Sequence, residues 1–524
     1  MNEERRKTVG ELISGLPGVA VRGDRDLLIE GITDDSRKAG PAHLFVAVRG
    51  RTVDGHDFVG QAVERGASAV LVDREVEVPD GVTTISCPNT AQGFAVVAAN
   101  FFDRPADSLE LVAVTGTNGK TTTCYLLESI LAAWGKSAGV VGTVSYRYGG
   151  KTYAAPYTTP TPMVLHYTLR QMVDAGCDYA LLEVSSHALE MDRVYGLEFS
   201  VAGFTNLTQD HLDLHGDMES YFAAKQKLFR HHVAAGGTVV GWADDPSARD
   251  MIGVFAGRKL FCAAADQSVD VFLESRELTL EGLRGKIHTP SGPVEVASPL
   301  LGATNLANIL MATTMAIGMG VELDVVARGI SGCDVVPGRL ERVDTPRDGS
   351  AAVLVDYAHT PDAIRQVLDT LRPLCEGRLF VIFGCGGDRD RTKRPIMGAA
   401  AGGGADLVVV TSDNPRTEDP RSIIEMAAEG VVESGKSPIK LEDLSVAKSG
   451  YVVVDDRREA IRWAIAASRP GDVVLVAGKG HEDYQILGTR RVHFDDREEA
   501  RKALDRAAST GQEETDRSGG EEKD

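Results

Sequence analysis

The sequence predicts an α/β protein of three domains, and three observations carry that expectation. The chain has 524 residues, more than one core usually organises and enough for about three domains at ~150 residues each. Short apolar runs alternate with stretches of helical periodicity through two long blocks, which is the pattern of a largely parallel sheet. Two breaks separate the blocks: DRPADS at 103–108, polar around a proline, and Val336-Pro337-Gly338.

These breaks divide the chain into a small N-terminal α/β domain (1–107), a central domain (108–335), a C-terminal domain (336–507) and an acidic tail (508–524). In the first, Leu44–Val48, Ala69–Val72 and Thr83–Cys87 read as strands. The central domain opens on the strand Leu111–Val114 and continues through Ala180–Val184, Val201–Phe204 and Thr238–Val240, with helical stretches between. The third repeats the alternation with Ala351–Val355, Leu379–Phe383, Leu407–Val410, Tyr451–Val454 and Val473–Ala477. From Ser509 the chain is polar with almost no apolar residue, so disorder is expected there. No solenoid repeat is visible.

Hydrophobic residues make up 43% and charged residues 25%, ordinary for a globular protein. A formal net charge of −20 argues against a general nucleic-acid or membrane-surface binder, which needs basic excess. It leaves room for anionic ligands at a local basic cluster. The seven cysteines (Cys87, Cys124, Cys177, Cys262, Cys333, Cys375, Cys385) have no metal spacing and read as reduced thiols. Met1–Gly10 is charged and lacks an apolar core, so no secretory signal is expected. No apolar run reaches the ~20 residues that span a bilayer. A cytoplasmic protein without membrane insertion or nucleic-acid partner is the expectation, and a monomer.

The sharpest local signal is Thr115-Gly116-Thr117-Asn118-Gly119-Lys120-Thr121-Thr122. It follows a strand and precedes Leu127, Ile130, Leu131 and Trp134 at helical spacing. Glycines let backbone wrap close to phosphate oxygens, and a helix N-terminus supplies unpaired N–H groups and positive dipole. Lys120 would neutralise β- and γ-phosphates, and Thr121 or Thr122 would hold Mg²⁺. The spacing Gly116-x-x-Gly119-Lys120-Thr121 shortens the usual GxxxxGK[ST]. The central domain is therefore expected to be a P-loop-type parallel-sheet ATPase domain.

Glu183 ends a strand of the same sheet, where a carboxylate can reach Mg²⁺. His211, in NLTQDHLD (206–213), follows another strand and could also ligate. Lys225 sits in YFAAKQKLF (221–229). On a helix it shares one face with Tyr221, Phe222, Leu228 and Phe229, whereas Lys227 points elsewhere. A desolvated lysine loses its proton more readily and becomes nucleophilic. Such an amine can add CO₂ to give an anionic carbamate. The pattern alone also fits a lysine that extends its ammonium to solvent.

With these residues assembled, the sequence resembles the Mur ligases, cytoplasmic enzymes that build the peptidoglycan stem peptide. The resemblance rests on TGTNGKTT (115–122), EVSSH (183–187), NLTQDHLDLHG (206–216) and the AAK ending at Lys225. DYAHTP (356–361), GCGGDRD (384–390), DNPR (413–416) and GKGHE (478–482) resemble the members that add the third residue. The likeness spans about residues 20 to 500. It implies that Thr121, Glu183, His211 and a carbamylated Lys225 (N6-carboxylysine) serve the Mg²⁺ site. It implies that ATP meets Gly116, Thr117, Asn118, Gly119, Lys120, Thr121 and Thr122, with Asn305, Arg339 and Asp356. Ser36, Thr158, Thr159, Ser185 and Arg193 would hold a UDP-N-acetylmuramoyl dipeptide. Met191 departs from the glutamine of some relatives and is left outside the site.

In the third domain, Asp356, Gly384, Asp413 and Gly478 each follow a strand. Strand C-termini of an open parallel sheet form the ligand crevice, so this domain should be Rossmann-like. Arg389, Asp413, Asn414, Pro415, Arg416, Gly478 and Glu482 are then candidates for the incoming amino acid. Arginine suits a carboxylate through paired hydrogen bonds, and the acidic residues suit ammonium groups. Meso-diaminopimelate carries both at each end, whereas lysine lacks the distal carboxylate, and the arginine of DNPR resembles diaminopimelate users. The expected reaction forms an acyl phosphate from ATP and a D-glutamyl carboxylate, then an amide. Lys120 and Lys225 are its central catalytic residues, and His359 and Asp388 are candidate bases. Lobes are expected to close before chemistry. A lysine-adding or folylpolyglutamate ligase and a nucleotide switch without ligase activity are the alternatives.

Overall fold

A computed structural model describes residues 5–50, 53–343 and 351–518. The chain forms two compact units, one of Met1–Ser275, Gly285–Val296 and Ala307–Gly332, the other of Arg276–Arg284, Ala297–Leu306 and Cys333–Asp524.

Within the first unit, the N-terminal sheet runs Ala20–Arg22, Thr83–Ser86, Ala69–Val72, His43–Val46, Gly31–Thr33 from edge to edge. All neighbours are parallel except the first pair. Alternate side chains serve two faces, as strand geometry requires. Leu44, Val46 and Leu71 pack with Phe94 and Val97, while Phe45, Val70 and Val72 pack with Val59 and Ala62.

The central sheet of the same unit places Ala138–Val141, Tyr179–Glu183, Glu110–Thr115, Phe199–Phe204, Val233–Trp242 and Arg258–Ala263 side by side. All of these pairings are parallel. The strand Glu110–Thr115 lies between its partners in a register that opposes Val114 to Glu183 and Thr115 to Phe204. Three loops therefore leave one sheet edge together: 116–119, the turn after Glu183, and the segment after Phe204. An antiparallel pair, Ser145–Tyr148 and Lys151–Ala154, extends this sheet beyond Ala138–Val141. No sequence signal marks this pair, because its outer strand is exposed along its whole length and carries no apolar alternation.

The second unit contains a six-stranded sheet in the order Glu341–Val343, Ala352–Asp356, Val473–Ala477, Leu379–Phe383, Leu407–Val410, Gly450–Val453. Only the first pair is antiparallel. The middle strand reads apolar throughout because both its faces are covered. Leu379, Val381 and Phe383 join one core, and Phe380 and Ile382 the other.

The C-terminal segment departs from its compositional reading. The last helix runs Asp496–Ser518, so the backbone of 509–518 is helical where disorder was expected. The reason is propagation: Ala500, Ala503 and Leu504 are buried at its start, and extending an anchored helix costs far less than nucleating one. The remainder of the expected tail, 519–524, lies outside the described residues.

In the first unit the helix Pro162–Asp174 buries His166 with neither ring nitrogen hydrogen-bonded among the described residues. Burial, aided by Arg104, pushes its pKa down from 6.5 to about 4. A base with a depressed folded pKa binds its proton first in the unfolded chain, so its stability contribution is full above pH 6.5 and is lost as pH falls toward 4. That loss amounts to about 3 kcal/mol. His166→Leu should flatten this part of the acid limb in denaturant unfolding measured between those two pH values; an unchanged slope would show that His166 is not buried neutral.

Candidate active site

The loop after Glu110–Thr115 is shaped by two glycines. Gly116 has φ +143° and Gly119 φ +88°. A Cβ on Gly116 would lie 1.9 Å from Thr205 Oγ1, and one on Gly119 would lie 2.4 Å from Asn308 Oδ1. The loop is braced from the neighbouring strand's exit. Thr117 N donates to Asn206 O at 2.9 Å, Asn118 N to Asn206 Oδ1 at 2.9 Å, and Thr205 Oγ1 to Asn118 O at 2.5 Å. Gly119 is the N-cap of the helix Lys120–Ala133 and makes no side-chain cap hydrogen bond.

Lys120 folds back over this loop, its Nζ donating to the Gly116 and Thr117 carbonyls, each at 2.9 Å. Lys225 donates to the same Gly116 carbonyl at 2.8 Å and lies 4.4 Å from the Tyr221 ring centroid. It is 1% exposed on the helix Met218–His231, whose buried face also carries Tyr221, Leu228 and Phe229, while Lys227 reaches outward to Glu190. Burial and the nearby Lys120 cation hold the Lys225 ammonium well below the usual lysine range, against the opposing pull of Asp210.

Glu183 is 1% exposed. Its carboxylate accepts from Thr121 Oγ1 at 3.0 Å, Thr143 N at 3.0 Å and Thr143 Oγ1 at 2.9 Å. A Cβ at Gly142 would stand 2.3 Å from Glu183 Oε1, so the carboxylate sits in a cradle that only glycine leaves open. His211, at φ +53°, is about half exposed beside Asp210, its ring 6.3 Å from that of Tyr221. Among the described residues no group of three or more His, Cys, Asp or Glu side chains stands ready for a metal. The expected ligands thus appear in two parts: Thr121 with Glu183, and Lys225 and His211, each near the Tyr221 ring.

Helical periodicity marks Tyr221 only as one member of an apolar face. Its hydroxyl lies 3.2 Å from Thr117 Oγ1, linking the lysine helix to the loop. Thr143 follows a strand and carries no motif, so no sequence signal marks it; only the sheet order sets it beside Glu183.

The residues expected for the UDP-sugar dipeptide form a chain of contacts leading from Glu183. Thr158 Oγ1 meets Thr143 Oγ1 at 3.0 Å. Thr159 Oγ1 donates to Glu183 O at 2.7 Å and to Ser185 Oγ at 3.3 Å, and Arg193 donates to Thr159 O at 2.8 Å. Ser36 is buried in the N-terminal part, its hydroxyl on Gln61 Oε1 at 2.6 Å. Asp34, two residues before it, is raised by burial and lowered by Arg193, which ties that turn electrostatically to the central sheet.

In the second unit, Asp356 ends its strand buried, accepting from Leu340 N at 2.7 Å and Ala358 N at 2.8 Å. Burial raises its carboxyl despite these donors and Arg339. The Arg339 guanidinium lies 4.9 Å from the Tyr357 ring centroid. His359 is exposed, with Nδ1 2.8 Å from Tyr357 O. A carbonyl only accepts, so Nδ1 carries the proton and Nε2 the lone pair when the ring is neutral. Asn305 is buried and donates to Leu301 O at 2.9 Å.

DNPR and GKGHE converge beyond Leu407–Val410 and Val473–Ala477, the two strands that flank Leu379–Phe383. Asn414 Nδ2 donates to Glu482 Oε2 at 3.1 Å, and Lys479 Nζ lies 3.2 Å from Asp413 Oδ1 and 3.4 Å from Glu482 Oε2. Arg416 adopts φ +52° and donates to Gly387 O at 2.7 Å. Pro415 packs against Gly387, where a Cβ would meet its carbonyl oxygen at 1.8 Å. Gly478, at φ +116°, follows its strand directly. Arg389 is exposed. Asp388 is occupied in fastening two loops: its carboxylate accepts from Thr417 Oγ1 at 2.8 Å and Thr417 N at 3.2 Å.

A glycine loop between a parallel strand and a helix without a side-chain cap, beside a buried carboxylate on the next strand, defines a phosphate-handling α/β protein. Within that class the chain belongs to the Mur ligase family. It matches the models described as Mur ligase family, catalytic domain, over residues 28–113, Mur ligase middle domain over 114–316, and Mur ligase, glutamate ligase domain, over 338–480. It is 46% identical over 497 residues to the UDP-N-acetylmuramoyl-L-alanyl-D-glutamate--2,6-diaminopimelate ligase of Geobacter metallireducens, covering 94% of this chain and 97% of the relative. It is 43% identical to the ligase of that name from Geobacillus thermodenitrificans, covering 94% and 98%. A solved structure of a ligase of that name superposes with a TM-score of 0.67 at 32% identity, covering 95% of this chain and 99% of the other. No helix among the described residues is long and apolar enough to cross a membrane.

Proposed function

We propose that this chain is an ATP-dependent ligase that adds meso-2,6-diaminopimelate to the D-glutamyl γ-carboxylate of UDP-N-acetylmuramoyl-L-alanyl-D-glutamate, in peptidoglycan synthesis. One observation carries the reading: Arg416, Asp413, Asn414 and Glu482 stand together at a sheet's carboxyl edge in a chain that matches, over 94% of its length, a relative named for that reaction. In the proposed division, residues 1–107 and the Thr158–Arg193 contacts hold the nucleotide-linked dipeptide. Residues 108–335 hold ATP, and 336–507 select the amino acid. Cytoplasmic action on small molecules as a monomer goes with this reading.

The triphosphate lies along Gly116–Thr122 and takes N–H groups at the helix start, while those of Thr117 and Asn118 stay on Asn206; Lys120 turns from the loop carbonyls to the phosphates, and Asn305, Arg339 and Asp356 complete the nucleotide contacts. The donors fit Mg²⁺, a hard cation that favours oxygen: the Glu183 carboxylate and Thr121 hydroxyl are adjacent, and His211 and carbamylated Lys225 would add theirs. Mg²⁺ there would supply positive charge to the triphosphate. The neutral Lys225 amine attacks CO₂ and releases a proton, replacing a desolvated cation with an anion.

The γ-carboxylate of the D-glutamyl residue attacks the γ-phosphorus and ADP leaves. Lys120 offsets the repulsion between these anions. The amine of diaminopimelate then attacks the acyl carbon and phosphate departs. It must first lose a proton, and His359 Nε2 is the better-placed acceptor, because Asp388 is engaged with Thr417. Arg416 and Arg389 receive a carboxylate, and Asp413, Asn414 and Glu482 an ammonium group.

The purified protein with UDP-N-acetylmuramoyl-L-alanyl-D-glutamate, ATP and Mg²⁺ should release phosphate only when diaminopimelate is added. Release that ignores the amino acid contradicts the ligase reading. Arg416→Ala should lower kcat/KM for diaminopimelate on the order of 100-fold, as loss of a charge-assisted pair predicts, with ATP affinity nearly unchanged. Equal loss of both would remove Arg416 from the amino-acid site. Lys225→Ala should be inactive and regain part of its rate with added short carboxylates; no response to any of them would count against the carbamate.

A further inference from the structure

We infer that Lys479 is a specificity-determining residue: its buried ammonium balances the charge of the amino-acid strip, so that the strip accepts a zwitterionic end group and disfavours a bare ammonium. The inference rests on the function proposed above.

Lys479 is 0% exposed. Its Nζ lies 3.2 Å from Asp413 Oδ1, 3.4 Å from Glu482 Oε2, 3.4 Å from Asn414 Oδ1 and 5.5 Å from the Tyr484 ring centroid. The flanking glycines hold it there. Gly478 and Gly480 have φ +116° and +52°, and a Cβ on Gly480 would come within 2.7 Å of the Tyr357 side chain. The two carboxylates suited to an ammonium ligand therefore already share one, supplied by the protein. Arg416 instead donates to a neutral carbonyl, so its charge is left for a ligand.

The count of local charges follows. Asp413 and Glu482 are negative, and Lys479 and Arg416 are positive, which balances; Arg389, near Gly386 like Arg416, is exposed, so its charge is screened by solvent and is not counted. Arg457, beside Gly478, is cancelled by Asp496, both of its bonds to that carboxylate being 2.7 Å. The distal end of diaminopimelate carries a carboxylate and an ammonium and is neutral overall; that of lysine is a cation. Lys479 and Asp413 are buried and Arg416 and Glu482 part-buried, and an uncompensated charge there is penalised more than at the surface. Removing the Lys479 charge would leave the strip negative and favour the cation.

The test is the ratio of kcat/KM for diaminopimelate to that for L-lysine, measured for four proteins with the same nucleotide-linked dipeptide. Lys479→Met should lower the ratio by about ten-fold or more, and Lys479→Arg should keep it within about three-fold of wild type. Glu482→Gln, which makes the strip positive, should move the ratio the other way. A purely structural Lys479 would depress both substrates alike and leave the ratio unchanged, which overturns the inference. So does movement of Lys479→Met and Glu482→Gln in the same direction. Should Lys479→Met fail to fold, as its melting curve would show, the direction of Glu482→Gln decides alone. A wild-type protein without diaminopimelate-dependent phosphate release overturns the parent reading and this one with it, whereas an active wild type with an unmoved ratio overturns this one only.

Discussion

Two lysine ammonium groups share one backbone carbonyl, and much of the first unit follows from that contact. Gly116 O accepts from Lys120 at 2.9 Å and from Lys225 at 2.8 Å. A neutral carbonyl cannot balance two cations, and Lys225 is buried at 1% exposure, out of reach of bulk solvent. Burial and mutual repulsion therefore favour loss of a proton from Lys225 or the arrival of negative charge. The carbonyl reaches this position only because Gly116 adopts a φ of +143° and leaves space for Thr205. Thr205 is there because its strand pairs in register with the one that ends at Thr115. A strained local contact is thus held by a sheet that cannot slip by one residue without turning its core faces outward.

The second unit solves the opposite problem. Around Asp413 the acidic groups are already satisfied, by Lys479 and by the Asn414 amide, and buried charges need such partners to persist. Behind them the Arg457–Asp496 pair is wholly buried and also holds Ala477 O at 2.8 Å, the carbonyl just before Gly478. The first residue of the last helix thereby fixes the turn on which the strip is built. In the proposed division, the strip that selects the amino acid has its charges balanced before the ligand arrives, whereas the phosphoryl-transfer site does not.

The strands and the phosphate loop were legible because their signals are local. Leu379–Phe383 and Leu407–Val410 have the ends their apolar runs suggest, and Gly116, Gly119 and Lys120 are adjacent in sequence. The lysine face of 221–229 was legible too, since helical periodicity alone separates Lys225 from Lys227. Thr143, Tyr221 and Lys479 were not. Their roles depend on partners 40 to 104 residues away: Thr143 on Glu183, Tyr221 on Thr117, Lys479 on Asp413. Such pairs are set by strand order, which no residue pattern states. The helical stretch of 509–518 escaped for a different reason: composition describes a segment by itself, while its conformation is inherited from the anchored turns before it.

The same distinction explains how a chain of net charge −20 can be suited to polyanions. Much of the acidic excess serves the backbone. Asp35, Asp54, Asp217, Asp419 and Asp456 each accept N–H bonds at the start of a helix, where a carboxylate meets the positive end of the dipole. The helix Lys120–Ala133 has Gly119 in that position instead, and no side-chain acceptor. Its N–H groups keep their field, and Lys120 adds a charge within the first turn. An aspartate at position 119 would satisfy those groups permanently and would stand where phosphate must go. Net charge therefore bears on extended polyanionic surfaces but not on a small anionic ligand, for which what matters is where the fold declines to place a carboxylate.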